Sequence, residues 1–88
     1  MGTDRFQEAQ LRVKKLSRAP DNAALLELYG LYKQATTGDA SGKRPGMLDL
    51  RGCAKYDAWA GRRGMSRPHA EEAYADVVDR LVKADGGG

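Results

Sequence analysis

Few residues of this chain could carry out covalent chemistry. Cys53 is the only cysteine and His69 the only histidine among 88 residues. A nucleophile needs a base within hydrogen-bonding reach, and neither residue stands in an elbow motif or near a third group that would complete a triad. A single cysteine excludes an internal disulfide, and a single histidine disfavours a structural zinc site. The sequence therefore predicts a protein that is not an enzyme and that uses no cofactor or metal ion.

Other side chains are better suited to binding a charged ligand. Tyr29 stands four residues before Lys33, so on a helix the phenol ring and the ammonium group share one face. Such a pair suits a nucleotide, which offers a flat base and negative phosphates. Trp59 follows Lys55 at the same spacing and is interpreted as a core residue or pocket wall.

The basic residues are concentrated in the middle of the chain. Between positions 40 and 67, seven basic residues stand against Asp49 and Asp57, whereas acidic residues predominate after position 68. This asymmetry indicates either an anionic partner or simply solvated helix faces. Nucleic-acid binding is the alternative function, although a recognition helix would present its basic residues as one continuous face. Here Arg62, Arg63 and Arg67 lie around Gly64.

The elements that must position these residues are predicted to be helices. Phe6, Ala9, Val13 and Leu16 recur at steps of three and four, which places them on one stripe of a first helix. Thr3 or Asp4 is the predicted N-cap, and Pro20 ends the segment.

A second helix is predicted from an N-cap at Asp21 to about Thr37. Gly38 can take the left-handed conformation of a C-terminal cap. The inward face of this helix is predicted to consist of Leu25, Leu28, Tyr29 and Tyr32.

Two more helices are predicted after an ordered connection at residues 40 to 48, where Gly42, Pro45 and Gly46 break regular patterns. The third begins near Asp49 or Leu50 and runs to about Arg62, with Asp49 interpreted as a helix cap and Asp57 expected to pair with a nearby base on the surface. The fourth begins after Ser66, its N-cap, with an apolar face of Ala70, Ala73, Tyr74, Val77, Val78 and Leu81. Residues 86 to 88 are predicted to be a flexible tail.

Four helices with mostly short links predict an all-α four-helix bundle. The long connection between helices two and three can span the length of a helix, so these two need not be antiparallel. The chain has no apolar run long enough to cross a bilayer and no leader segment, so the sequence predicts a cytoplasmic protein without an integral membrane segment. Because the bundle accounts for the apolar stripes, we expect a monomer.

Three motifs in this order make the assignment more specific: YGLYKQATTGD at 29 to 39, RPGMLDLRG at 44 to 52, and KYDAW at 55 to 59. Together they resemble the acyl-CoA-binding protein family, and the resemblance extends from Phe6 to about Lys83. It implies an up-down-down-up bundle, with residues 1 to 85 forming one acyl-CoA-binding domain. It also implies a carrier that binds medium- to long-chain acyl-CoA and, more weakly, free coenzyme A, with no nucleic acid as partner.

The resemblance also implies the ligand-binding residues. Lys33 and Lys55 stand where the family contacts the 3′-phosphate, and Tyr29 where a hydroxyl binds phosphate. The remaining nucleotide contacts are assigned to Tyr32, Tyr74 and Lys14, and Arg51 stands where the family commonly has lysine. The acyl chain is expected to lie over Ala9, Leu25, Leu26 and Tyr56. The sequence departs from the family at Tyr56, where tryptophan is usual, and at Cys53, where lysine is usual.

Overall fold

The computed structural model describes residues 4 to 86, which form four helices and no strand. The helices are α1 (Arg5–Val13), α2 (Asn22–Thr36), α3 (Leu50–Ala60) and α4 (Arg67–Ala84). The predicted all-α four-helix fold is thereby confirmed. Of the predicted tail, Gly86 donates its N–H to the Lys83 carbonyl at 3.1 Å, and residues 87 and 88 lie outside the described residues.

Each helix begins at a side chain that accepts a hydrogen bond from a backbone N–H of the first turn. Asp4, Asp21 and Asp49 accept from the residue two or three positions ahead at 2.9 Å, and Ser66 Oγ accepts from His69 N at 3.2 Å. These bonds satisfy donors that a helix start leaves unpaired. The predicted caps are confirmed, and the alternative at Thr3 falls outside the described residues.

The first helix ends earlier than predicted, since its stripe was expected to include Leu16 and the segment to end at Pro20. α1 stops at Val13, and Leu16 lies in the segment after it. There Ser17 donates from its N–H and its hydroxyl to the two carboxylate oxygens of Asp85, at 3.0 and 2.7 Å. These two bonds hold the segment after α1 against the end of α4.

The third helix is also shorter than predicted, ending at Ala60 instead of near Arg62. The chain then turns to Gly64, whose φ of +90° is a conformation that favours glycine. The N–H of Gly64 donates to Asp39 Oδ1 at 2.8 Å. This bond fixes the turn between α3 and α4 against the end of α2.

The apolar core lies between α1, α2 and α4. On α2 its members are Leu28, Leu31 and Ala35, whereas Leu25 and Tyr32 are 46% and 40% exposed. The predicted inward face was therefore wrong for Leu25, whereas Tyr32 lies at the edge of the core, partly exposed but with its ring beside those of Phe6 and Tyr74. The rest of the core consists of Phe6, Ala9, Ala70, Tyr74, Ala75, Val77 and Val78.

Contacts between α1 and α4 show that these helices run in the same direction. Arg5, at the start of α1, binds Asp76 at 3.1 Å, and Ser17, after its end, binds Asp85 at 2.7 Å. Residue numbers therefore increase in the same direction along α1 and α4. Helices that are first and last in the chain lie side by side, as predicted.

α2 runs opposite to α4. Glu27, near its start, accepts from Arg80 at 3.1 Å, and Gln34, near its end, donates to the Met65 carbonyl just before α4, at 2.9 Å. Higher residue numbers on α2 therefore lie beside lower residue numbers on α4. This antiparallel pair occupies the centre of the fold.

α3 packs on α2 alone. Over the described range 4 to 86, no Cα atom of α3 lies within 8 Å of α1 or α4, and the molecule measures 40 × 31 × 15 Å. The helices cross where Gly30 meets the backbone at Ala58. A Cβ at Gly30 would sit 2.8 Å from the Ala58 carbonyl carbon and closer still to its oxygen. Only a residue without a side chain permits this approach.

The connection between α2 and α3 is fastened along α3 over residues 38 to 46, which we call the strap. Near its start, Trp59 Nε1 donates to the Gly38 carbonyl at 2.7 Å, and Tyr56 Oη donates to the Gly42 carbonyl at 3.2 Å. Because the strap runs back along the helix, it adds contacts that α3 does not obtain from α1 or α4.

The far half of the strap is held by charge. Two guanidinium nitrogens of Arg44, Nε and Nη2, each donate to one carboxylate oxygen of Asp57 at 2.8 Å, which is a bidentate geometry. The bonds from Arg44 hold the pKa of Asp57 below its usual value, and the same contacts raise the pKa of Arg44. The sequence-based expectation that Asp57 pairs with a nearby base is confirmed.

Replacing Gly30 by alanine tests the close approach of α2 and α3. We expect Gly30→Ala to lower the free energy of unfolding by about 1 to 3 kcal/mol, because the new methyl group must push the two backbones apart. Urea denaturation followed by circular dichroism measures the change. Gly61→Ala is the matched control, since its Cβ would meet no atom closer than 3.4 Å and its φ of −65° suits alanine. Equal stability of the two variants would contradict the packing assigned to Gly30.

Candidate functional site

Two lysines and two aromatic rings pair across the crossing of α2 and α3. Lys33 Nζ on α2 lies 4.7 Å from the ring centroid of Trp59 on α3. Lys55 Nζ on α3 lies 5.5 Å from the ring centroid of Tyr29 on α2. Both separations lie within the range of cation–π attraction. Each helix thus supplies one cation and one ring, four residues apart, to a common surface.

The ammonium groups of Lys33 and Lys55 contact aromatic rings across the α2–α3 crossing. Neither ammonium group forms an ion pair with any carboxylate in the part of the chain that the structure describes. Lys33 is half-buried and Lys55 is exposed. Two cations held on aromatic faces and lacking carboxylate partners can receive a phosphate group.

Several other basic residues of the middle segment are already paired. Ion pairs join Arg44 to Asp57, Arg62 to Glu27 and Arg67 to Glu71. Arg63 donates to the carbonyl of Ala40 at 3.1 Å. The positive character predicted from the sequence is therefore concentrated on fewer side chains than the composition indicates.

An aromatic cluster borders this surface where α1, α2 and α4 meet. The ring of Phe6 lies 5.1 Å from that of Tyr74, in an edge arrangement, and 6.0 Å from that of Tyr32. Tyr32 and Tyr74 are 6.5 Å apart. Tyr32 is 40% exposed while Tyr74 is 6% exposed, so Tyr32 presents its ring to solvent and Tyr74 supports it from the core.

Burial raises the pKa of the Tyr74 phenol, and the neighbouring Tyr32 adds a smaller effect in the same direction. The neutral form is favoured because charge is poorly solvated at a buried position. The hydroxyl at Tyr74 is accordingly a neutral hydrogen-bonding group across the neutral pH range.

The structure does not gather every predicted ligand residue into this surface. Lys14 caps the C-terminal end of α1, is exposed, and forms no ion pair within residues 4 to 86. Arg51 is exposed in the first turn of α3. The residues predicted along the acyl chain range from buried to exposed: Ala9 is buried, Leu26 and Tyr56 are half-buried, and Leu25 is exposed.

One buried polar residue was missed by the sequence reasoning. Gln34 is 2% exposed, and its Nε2 donates to Asp39 Oδ1 at 2.8 Å and to the Met65 carbonyl at 2.9 Å. The bond from the Gly64 N–H, and then that from Gln34, lower the pKa of Asp39. Gln34 thereby fixes the end of α2 one residue beyond Lys33. Its position three residues after Leu31, on the buried stripe, is the signal that could have revealed it.

The nucleophile and base candidates lie apart. Cys53 is buried beneath the strap and donates its thiol to the Pro45 carbonyl at 3.3 Å. His69 is exposed in the first turn of α4. No group of three or more potential metal ligands occurs within the described residues. None of the four described helices combines the length and apolarity needed to cross a membrane.

Comparison with known proteins gives consistent matches over almost the whole chain. Residues 3 to 78 match the family model described as "Acyl CoA binding protein". The chain is 45% identical over 80 residues to an acyl-CoA-binding protein of Brassica napus, covering 91% of this chain and 87% of that protein. It is 44% identical over 84 residues to an acyl-CoA-binding protein homolog of Manduca sexta, covering 94% and 93%.

A solved structure extends the similarity to three dimensions. The crystal structure of Oryza sativa Acyl-CoA-Binding Protein 2 superposes with a TM-score of 0.88 at 36% identity. The superposition covers 93% of this chain and 89% of that one. The arrangement of the four helices is therefore shared as well as the sequence.

The raised pKa of Tyr74 predicts a distinctive alkaline titration. Ring-labelled protein followed by carbon NMR should show the Tyr74 phenol ionising above about pH 10, the ordinary value, and this signal should be absent in Tyr74→Phe. Burial favours the neutral phenol, so its contribution to stability is complete below about pH 10 and is lost as the pH rises through the folded-state pKa. Tyr56→Phe is the control and must leave the titration in place. A Tyr74 signal that titrates below about 10 would contradict the assigned burial effect.

Proposed function

The chain belongs to the acyl CoA binding protein family, and from this premise we propose that it binds long-chain acyl-CoA thioesters reversibly and carries them without chemical change. The observation that carries the proposal is the reciprocal pairing of Lys33 with Trp59 and of Lys55 with Tyr29. Within residues 4 to 86 neither lysine has a carboxylate partner, so both cations are available to a phosphate of the nucleotide half of the ligand.

The 3′-phosphate of coenzyme A is assigned to Lys33 and Lys55. A terminal phosphate ester carries roughly −1.5 to −2 charges near neutral pH, so two converging ammonium groups match it in number. The rings of Trp59 and Tyr29 orient the ammonium groups before the ligand arrives. In this proposal the Tyr29 hydroxyl donates to the same phosphate.

The adenine is assigned to the exposed face of Tyr32. Tyr74 lies 6.5 Å from it, centroid to centroid, and keeps the ring in place while its neutral hydroxyl remains available as a donor. Lys14, exposed at the end of α1, is proposed to approach the nucleotide from the side. In this arrangement the end of α1 joins α2 and α3 in holding the nucleotide.

The acyl chain is proposed to cover Leu25, Leu26 and Tyr56, with Ala9 at the margin, while Arg51 is proposed as a further cation for the phosphates. Leu25 is 46% exposed without a ligand, so covering it removes apolar surface from water. Burial gains about 0.8 kcal/mol per methylene. Affinity should therefore rise from medium-chain to long-chain thioesters until the groove is filled, and free coenzyme A should bind more weakly.

The proposed role is that of a non-catalytic carrier. A bound thioester would be withheld from water and from membranes, which keeps its free concentration low. We propose that the protein acts as a monomer in the cytoplasm. The runner-up function, nucleic-acid binding, is disfavoured by the ion pairs that occupy Arg44, Arg62 and Arg67.

Calorimetric titration tests the function directly. Palmitoyl-CoA, below its micellar concentration, should bind one to one and more tightly than either coenzyme A or palmitate alone, because only the thioester fills both subsites. Free coenzyme A should compete for the same site. Absence of thioester binding would contradict the proposal, as would displacement of the thioester by DNA but not by coenzyme A.

Substitution of Lys33 tests the phosphate assignment. Lys33→Ala should weaken palmitoyl-CoA binding by at least about 1 kcal/mol, because a charge-assisted hydrogen bond is lost. Calorimetry measures the affinity, and circular dichroism verifies the fold. Lys15→Ala is the matched control, since Lys15 is an exposed lysine outside the site and should bind like the wild type. Unchanged affinity in folded Lys33→Ala would show that this lysine does not bind the phosphate.

A further inference from the structure

The residues between the strap and α3, together with the first residue of α3, expose an unusual amount of apolar side chain. Met47 is 85% exposed, Leu48 101% and Leu50 77%. We call these three residues the tip. Single exposed apolar residues are common on protein surfaces, but three within four positions form a local patch of the kind found at interaction sites.

Hydrogen bonds on both sides hold the tip outward. Before it, the Cys53 thiol donates to the carbonyls of Pro45 and Gly46 at 3.3 and 3.4 Å. After it, the Asp49 N–H donates to the Gly46 carbonyl at 2.9 Å, and the Asp49 carboxylate caps α3 through the Gly52 N–H at 2.9 Å. The exposure of the tip therefore follows from the fold of the strap.

Basic side chains flank the tip. Lys43 and Arg51 are exposed, and neither forms an ion pair with a carboxylate of residues 4 to 86. The one acidic residue between them, Asp49, is engaged in the cap of α3. The surface around the tip thus combines projecting apolar groups with unneutralised positive charge.

We propose that the tip inserts into the headgroup region of a bilayer that contains anionic phospholipid. Such an interface supplies both an apolar layer for Met47, Leu48 and Leu50 and negative charge for the two basic residues. A second copy of this chain fits less well, because a symmetric contact through the tip would bring Lys43 and Arg51 towards their own counterparts. The biological purpose of this docking rests on the proposed function, because it would place a carrier where acyl thioesters enter and leave a membrane. The structural observations behind the docking do not depend on that function.

Vesicle flotation tests the proposal on the full chain. Wild-type protein should float with vesicles of phosphatidylcholine and phosphatidylserine and should bind pure phosphatidylcholine vesicles more weakly. The double variant Met47→Ser, Leu48→Ser should lose at least about tenfold in affinity for the anionic vesicles, since two inserting side chains are removed. Leu11→Ser is the matched control, because Leu11 is a 61% exposed apolar residue on α1 and should change nothing.

A separate variant tests whether basic residues beside the tip contribute to binding anionic phospholipid. Lys43→Gln should lower the affinity for phosphatidylserine vesicles about fivefold and leave binding to pure phosphatidylcholine unchanged. Added salt should reproduce this loss in the wild-type protein. A Lys43→Gln variant that binds both vesicle types like the wild type would contradict the charge argument.

The remaining outcomes separate this proposal from its competitors. The double variant should keep wild-type affinity for palmitoyl-CoA in vesicle-free calorimetry, and an equal loss there would mean that the tip is part of the acyl groove. Wild-type protein that ignores anionic vesicles overturns the proposal, as does a concentration-dependent dimer that disappears in the double variant. Vesicle binding without palmitoyl-CoA binding would instead leave the docking surface standing and overturn the carrier function.

Discussion

The contact between the backbones of α2 and α3 at Gly30 and Ala58 sets the dimensions of the candidate site. α3 touches neither α1 nor α4 within residues 4 to 86, so this crossing is its one helix–helix contact there. The distances that join Lys33 to Trp59 and Lys55 to Tyr29 both span it. A side chain at position 30 would separate the helices, and each lysine would then withdraw from the ring on the other helix.

The molecule separates the residues of the apolar core from those of the candidate site. The core lies among α1, α2 and α4, whereas the paired lysines lie where α2 meets α3. α2 belongs to both regions, with Leu28 and Leu31 on one stripe and Tyr29 and Lys33 on the next. Because α3 contributes little to the core, the strap must hold it, and hydrogen bonds to side chains replace the apolar contacts of a conventional bundle.

Features that depend on neighbouring residues, such as helix caps, could be predicted from the sequence. The side of each helix that is buried could not, because it depends on distant parts of the chain. The caps at Asp21, Asp49 and Ser66 depend on bonds within three residues, and all were predicted. The exposure of Leu25 depends on which stripe of α2 meets α4, and the end of α1 depends on a bond to Asp85, 68 positions from Ser17. The motif pattern indicated Lys33 and Lys55 as ligand residues. The role of Gly30 becomes evident only when Ala58 is placed beside it.

The two departures from the family pattern have a common structural role. Tyr56 stands where tryptophan is usual and donates to the Gly42 carbonyl, while Cys53 stands where lysine is usual and donates to carbonyls of Pro45 and Gly46. Both side chains bind the strap to α3. The chain thus has one cation fewer near the ligand surface, and in its place a buried thiol that helps to hold the strap. In the proposed complex, Lys33 and Lys55 bind the phosphate without this additional cation, so affinity should depend strongly on their placement at the α2–α3 crossing.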